Sequence, residues 1–559
     1  GCYGGESART PVIDGLAARG ARFDQAICGA PVTLPSHATI MTGLDVPGHG
    51  VRHNGTYRLG DEAWTLAEAL AREGYATGAF VGAFVLDARY GLAQGFDHYD
   101  DAVHDLAATP SMGRYNERPA NEVVDAAIGW LERTIAVDPR RPFLAWVHLF
   151  DPHMPYEPPT EYAAMLPGRP YDREIAFCDA QIGRLLEFLA QADLLERTLV
   201  VLTADHGEGL GDHDELTHGV LIYDSTVRVP LIVSHPRLFA RGVDIADRVA
   251  GGTDVFPTVL GLLGVAAGQA EVDGRDLFAA AVDDDRAIYV ESLVPLLDYG
   301  WSPLRGLRRL GDKLIRAPEP EYYRVTDDPG ETVDLYDDSP AAGALEARLD
   351  ARLAGWPDDA AAVDRQRALD EEELERLASL GYLRAPPSGA AIGAQDPKRM
   401  MPLWDKIDRA GKLSLAGDHD GAAELIGEVL DADPASGKAW YTALRIYDRA
   451  GRHDAAEQAV RRALALSPSA DGWVILARYA LNRRDLAEFD GALAEARKLD
   501  ARHGGIHIGL GHRLAMEGRL AEARAEFARA IEVDPSRSGA HAREQIERID
   551  RIAGRPDAD

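Results

Sequence analysis

Four short apolar runs, at 75–81, 142–150, 198–204 and 229–234, alternate with stretches whose apolar residues recur at helical spacing, notably 121–136 and 171–192. Apolar runs of this length, bounded by polar or turn residues, read as buried strands. Strands that alternate with helices form a parallel sheet covered on both faces. The pattern predicts an α/β domain with a mostly parallel central sheet. In such sheets ligands bind beyond the carboxyl ends of strands, which points to Asp151 after the second run and Asp205 after the third. From about 287 to 337 the pattern shortens to strands and turns, as in RGLRRLGDKLIRAP and EYYRVTDDPGETVDLYD, and predicts a small antiparallel subdomain. At 559 residues the chain exceeds what one core accommodates.

Beyond a Pro-, Gly- and Ala-rich stretch at 384–398 a repeat begins. Gly417 and Gly451 stand 34 apart and Gly451 and Gly518 stand 67 apart; Pro434, Pro468 and Pro535 show the same intervals. Small and apolar residues between these marks fall at helical spacing, as in AAEQAVRRALALSP and AEARAEFARAIEVDP. An unrelated helical bundle is the plainer reading. The 34-residue helix–turn–helix unit resembles the tetratricopeptide repeat, with a weaker middle copy at 473–500 that has NRRD in place of the glycine turn. That resemblance implies a protein or peptide partner. The net charge of −31 argues against a nucleic-acid-binding surface. Cys2, Cys28 and Cys178 are too few and too scattered for a disulfide framework or a structural zinc site.

Chemistry concentrates in three segments. In APVTLPSHATIMTGL, Thr33 precedes a helix expected from Pro35 to about Thr42. Proline suits a first helical turn, and the free amides and positive dipole end there suit an anionic group beside the Thr33 hydroxyl. Taken alone, TLPSH reads more readily as an ordinary threonine cap with a surface histidine. In LVVLTADHGEGLGDH, Asp205 and His206 close a strand, where a carboxylate and an imidazole reach one divalent cation. Such a cation lowers the pKa of a bound hydroxyl and makes threonine a competent nucleophile. In WVHLFDPHMPY, His153 is either a general acid, a contact to substrate oxygens, or a plain loop residue. His218 poses a similar choice between anion contact, metal ligand and loop residue, and His213 reads as solvated loop.

The ordered set TPVIDGLA, APVTLPSHATIMTG, HGVRHNG, DPHMPY, ADHGEGLGDH, STVRVPLIV, GTDVFPTVLGLLG and DDPGETVDLYD resembles the sulfatases of the alkaline-phosphatase superfamily over residues 1 to about 383. The resemblance implies an alkaline-phosphatase-like α/β sandwich with a small antiparallel subdomain, followed by a linker at 384–400 and an all-α repeat solenoid at 401–553. Sulfatases carry Cys or Ser, oxidised to formylglycine, in C-x-P-x-R; here Thr33 and His37 occupy the Cys and Arg positions, and threonine cannot be converted. T-L-P-S-H is similar instead to T-F-P-N-H of nucleotide pyrophosphatase/phosphodiesterases, and threonine nucleophiles also serve lipoteichoic-acid synthases and phosphoethanolamine transferases. By the resemblance, Asp205, His206 and Thr33 hold a divalent metal (zinc, manganese or calcium). His37, Asn54 and His218 contact the substrate, with His218 at the place of a sulfate-contacting lysine, and Thr33, His153, Asn54 and His218 carry catalysis.

The expected activity is metal-dependent hydrolysis of a phosphate or sulfate ester through a covalent threonine intermediate, phosphoester or phosphodiester preferred, on a small or polymeric anionic substrate. The alternatives are a sulfuric-ester hydrolase without formylglycine, a phosphoryl-type transferase, and an inactive scaffold acting through its repeats. In relatives a first strand bearing one or two aspartate ligands lies shortly before the GCYGG that opens this sequence. The sequence is therefore read as lacking that strand and any targeting region, and weak metal binding is expected of it. The resemblance implies a periplasmic, extracellular or membrane-attached protein.

Overall fold

The computed structural model describes residues 1–5, 8–103, 118–163, 168–266, 271–279, 281, 285–356, 393–466, 468–533 and 538–553. The described chain forms two compact units, one of residues 1–295, 303–356 and 396–398, the other of 296–302, 393–395 and the residues from Arg399 onward. Most of the stretch expected to be a linker, 384–392, lies outside the described residues.

In the first unit, β1 (Gly20–Ile27) is central to one sheet. The next strands along the chain, β2 (Ala76–Phe80), β3 (His98–Asp100) and β4 (Phe143–Val147), form a second sheet that is wholly parallel, with β2 in the middle. Then β5 (Val200–Thr203), β6 (Arg228–Ser234), β7 (Val243–Ile245) and β8 (Ala250–Gly251) return to the first sheet. There β7 and β8 run parallel to β1, whereas β6 runs antiparallel to both β1 and β5. The α/β architecture is as expected, and the first sheet is mixed. The direction of β6 follows from its connection: residues 204–227 between β5 and β6 hold a loop and the short helix Asp224–Val227, not the long crossover helix a parallel return needs.

Two of the runs read as buried strands, β4 and β5, are only half-buried along their whole length. Each pairs on one side only among the described residues, so one edge is left uncovered. The helices Ala120–Val137 and Pro170–Gln191 cover the second sheet, packing Trp130, Leu131 and Leu189 on Ala76 and Phe80. Burying side chains of this size stabilises the fold by roughly 1.5–3 kcal/mol each. Gly78 permits this: a Cβ there would stand 2.8 Å from the Trp130 ring.

The expected antiparallel subdomain is β9 (Ile288–Ser292), β10 (Leu304–Arg308), β11 (Lys313–Arg316) and β12 (Glu321–Tyr323) in simple meander order. Buried charge pairs fasten it to the larger sheets. Arg308 lies 2.9 Å from Asp224, and Lys313 lies 3.0 Å from Asp224 and 2.7 Å from Glu331. Glu291 on β9 takes a two-pronged hydrogen bond from the guanidinium of Arg52, both residues being buried.

The second unit is helical. Its successive hairpins include Gly437–Arg449 with His453–Leu466, Ala470–Asn482 with Leu486–Leu499, and Gly504–Met516 with Leu520–Val533. Small residues such as Ala477, Ala480, Ala492 and Ala496 let the helices approach around Phe489. Gly451 and Gly518 turn the chain with φ of 70° and 79°, and in the weaker middle copy Arg484 takes the same left-handed conformation at φ 63°. For a residue with a Cβ that conformation costs roughly 1–2 kcal/mol.

Candidate active site

The helix Thr33–Thr42 begins at Thr33 itself, two residues earlier than expected, with Val32 as its extended cap. Pro35 thus falls inside the first turn, where its missing N–H forfeits no bond. The second amide of the helix, Leu34 N–H, donates to Asn54 Oδ1 at 2.8 Å. Asn54 Nδ2, in the same buried side-chain amide, has no hydrogen-bond partner among the described residues. Ser36 Oγ donates to the carbonyl of Asp205 at 2.6 Å and so ties the helix to the end of β5.

His206 Nδ1 donates to Gly207 O at 2.9 Å, which leaves the lone pair on Nε2. That nitrogen lies 3.3 Å from Thr33 Oγ1 and 3.3 Å from Asp205 Oδ2. The loop after it folds tightly because two glycines allow it: a Cβ on Gly207 would meet Ser225 O at 2.3 Å, and one on Gly209 would meet Glu215 O at 2.2 Å. The loop brings His218 back over His206, with ring centroids 3.9 Å apart, and places its Nδ1 3.3 Å from Glu208 Oε1. His153 stands edge-on to His218 at 5.2 Å and stacks on Phe150 at 4.3 Å. Its amide donates to Glu174 Oε2 and its Nδ1 donates to Met154 O at 2.7 Å.

His37 is buried on the same helix and donates from Nδ1 to Thr33 O at 2.9 Å, with Asp205 Oδ2 3.7 Å away. Its ring packs against Trp146 and His148. His148, just past β4, accepts from the Gly82 amide on Nδ1. The ligand atoms of His37, His148 and Asp205 lie within 4.8 Å of one another. Burial pushes His148 down to about 3 and His153 down to about 4, so both rings are neutral at physiological pH. Burial would also lower His218, but Glu208 outweighs it and raises the imidazole above its ordinary value. Burial would raise Asp205, but His206, His37, His148 and His218 hold its carboxyl below the usual range. Glu208 is lowered for the same reason, chiefly by His218.

Sequence reasoning passed over His148 and Glu208. The first lay inside an apolar run, where its only mark was being polar at the strand's end; the second stood in GEG, read as a mere turn. Asp151 belongs elsewhere: its carboxylate accepts from the Ala120 amide and caps the helix Ala120–Val137. His213 is not solvated loop but stacks on Tyr223 at 3.5 Å and donates to Gly330 O at 3.1 Å.

Two carboxylates kept ionised, Asp205 and Glu208, face one imidazole disposed to be cationic, His218. A phosphate or sulfate ester would be repelled by this balance without a further positive charge. The donor set around His206 (an imidazole lone pair on Nε2, with the Asp205 carboxylate and the Thr33 hydroxyl each 3.3 Å from it) fits a divalent cation.

A hydroxyl at a helix start, facing a carboxylate and an imidazole beyond the carboxyl end of a strand, is an arrangement able to carry out ester hydrolysis on an α/β scaffold. Residues 1–265 match the sulfatase family and residues 413–479 match the tetratricopeptide repeat. The chain thus begins with a stretch similar to the sulfatase family, followed by one similar to the tetratricopeptide repeat, and its relatives mark it as an ester-hydrolysing enzyme. It is 27% identical over 406 residues to the ulvan-active sulfatase of Formosa agariphila, covering 63% of this chain and 77% of that one. It is 26% identical over 423 residues to the uncharacterized sulfatase YidJ of Escherichia coli, covering 63% and 83%. The phosphonate monoester hydrolase of Agrobacterium radiobacter shares the fold at a TM-score of 0.51 and 20% identity, over 63% of this chain and 91% of that one. No described helix is long and apolar enough to cross a membrane.

Proposed function

We propose that the chain hydrolyses an anionic ester, phosphate monoester or diester in preference to sulfate, through a covalent intermediate on Thr33. The observation that carries this reading is the Thr33 hydroxyl at the helix start, 3.3 Å from the His206 lone pair. Threonine cannot supply the aldehyde hydrate of formylglycine, so the attacking group is the alcohol itself. Asp205, His206 and Thr33 would hold a divalent metal (zinc, manganese or calcium), which when bound supplies Lewis acidity and the missing positive charge.

Thr33 Oγ attacks the phosphorus or sulfur as its proton passes to solvent water, the His206 lone pair being the one that would hold the metal. The bond to the leaving oxygen breaks on the opposite face, and His153 supplies that oxygen with a proton. His153 is neutral in the resting site, so an arriving anion must raise its affinity for the proton. Asn54, His37 and His218 steady the non-bridging oxygens. Water then cleaves the threonine ester and frees the acid. The chain's own division of labour is a hydrolase over 1–383, a linker over 384–400 and a partner-binding repeat tail over 401–553. A periplasmic, extracellular or membrane-attached setting accompanies this reading.

A second reading, a sulfate-ester hydrolase using the same threonine, is favoured by the sulfatases among the relatives. Aryl phosphate, bis-aryl phosphate and aryl sulfate assayed side by side with zinc, manganese and calcium distinguish the two. Turnover that persists in Thr33→Ala removes the threonine intermediate from both.

A further inference from the structure

Lys438 is the second residue of the helix Gly437–Arg449 and is buried. Both circumstances are unfavourable, because the ammonium stands at the positive end of the helix dipole and has lost its water. The corresponding second residues of Ala470–Asn482 and Gly504–Met516 are Asp471 and Gly505, so the repeat framework does not call for a cation here. What it meets comes from far back in the chain. Its Nζ lies 3.1 Å from Asp298 Oδ2 and 4.3 Å from the centre of the Tyr299 ring. Burial alone would lower the ammonium's pKa, and Asp298 with Tyr299 reverses this and raises it.

The rest of that short segment is as fully engaged. Tyr299 stacks on Trp301 at 4.3 Å and 17°, and Trp301 is completely buried. The Trp301 indole N–H donates to Asp433 Oδ2, at the end of the preceding helix His419–Ala432. A single π-helical turn over Pro295–Tyr299, a form rare outside functional places, sets Asp298 and Tyr299 side by side. Ser302 N–H donates to Gln395 O and Gly393 N–H donates to Gly300 O. An ion pair, a ring under a cation and a buried indole with its N–H satisfied hold this segment on the repeat helices, and two main-chain bonds tie it to residues 393–395.

We infer that the repeat unit carries a peptide-binding site at Lys438 and Asp433, and that its occupant is the chain's own Leu296–Ser302, an apolar–Asp–aromatic–Gly–Trp sequence. The tether between β9 and β10 keeps this ligand at millimolar effective concentration or more, so a free peptide of the same kind is excluded until the segment is displaced.

The test uses the full chain and a fluorescein-labelled peptide of residues 293–304. Wild type binds no peptide, whereas a chain carrying Asp298→Ala, Tyr299→Ala and Trp301→Ala captures it. Adding Lys438→Met to that chain weakens capture by roughly 10- to 100-fold, the worth of one charge-assisted hydrogen bond. In an otherwise wild-type chain, Lys438→Met raises hydrogen exchange across 293–304 while the helices from His453 onward keep their protection. Unchanged exchange across 293–304 in that variant overturns the inference. So does failure of the triple variant to bind peptide when its later helices retain wild-type protection.

Discussion

Replacing Asn54 separates two jobs held by one side chain. Its Oδ1 takes the Leu34 amide at the start of the Thr33 helix, and its Nδ2 is a buried donor with no partner among the described residues. Asn54→Ala removes both. Losing the acceptor is equivalent to losing a helix cap, about 0.5–2 kcal/mol of stability. Losing the donor removes one contact to the charge that develops on the ester in the transition state, about 2.7–4 kcal/mol or 10²–10³ in kcat. Asn54→Asp keeps the acceptor for Leu34 and replaces the donor by an anionic oxygen. Its urea midpoint is therefore expected nearer wild type than that of the alanine variant, while kcat falls by at least as much. Steady-state turnover of an aryl ester and urea unfolding, run on the same three proteins, read the two quantities independently. Activity of Asn54→Asp within threefold of wild type would refute the role given to Nδ2.

Other substitutions probe the frame. Lys313→Met removes the ammonium shared by Asp224 and Glu331 and is expected to cost about 3–5 kcal/mol in urea unfolding, the usual penalty for breaking a buried pair. Arg484→Gly relieves the left-handed turn of the middle repeat and should stabilise the helical unit by roughly 1 kcal/mol, seen as a higher unfolding midpoint by circular dichroism. Glu215 is buried with its carboxyl facing the amides of Val220 and Leu221, and burial pushes it up from 4.5 to about 8. A raised carboxyl favours the folded state when protonated, so its contribution is complete below pH 4.5 and fades as pH rises to about 8, at up to roughly 1.4 kcal/mol per pH unit. Glu215→Gln should flatten that part of the stability profile; an unaltered slope between pH 5 and 8 would exclude the assignment.

The residues that announced themselves in the sequence did so through local grammar. Pro35 marks a helix start, and Asp205 and His206 end an apolar run before glycines; both signals need only neighbours in the chain. Where Asn54, His148 and Glu208 matter, the partner is distant: Leu34 across a loop, Gly82 just past β2, His218 after a tight return. No spacing encodes such meetings. The same limit explains Asp151, whose place after a strand suited a ligand as well as a helix cap, and only the position of Ala120 decides between them. Strand direction was obscured too, because an apolar run carries no arrow; β6 reverses through the shape of the loop before it. The glycine marks of the repeats were legible because a left-handed turn has so few acceptable residues, and Arg484 shows the turn surviving without its mark.

The Arg52 and Glu291 pair has a consequence in time. Arg52 sits two residues before Asn54, and its guanidinium is held by a carboxylate 239 residues further on. At roughly 5–20 residues per second of synthesis, the loop that presents Asn54 waits about 10–50 s for the strand that fixes it. The helix bearing Thr33 forms early from local contacts, yet the surroundings that would make its hydroxyl useful close only after β9 has emerged. A nascent chain stopped short of Glu291 would therefore lack the carboxylate that fixes the Arg52 loop, and with it the finished surroundings of Asn54.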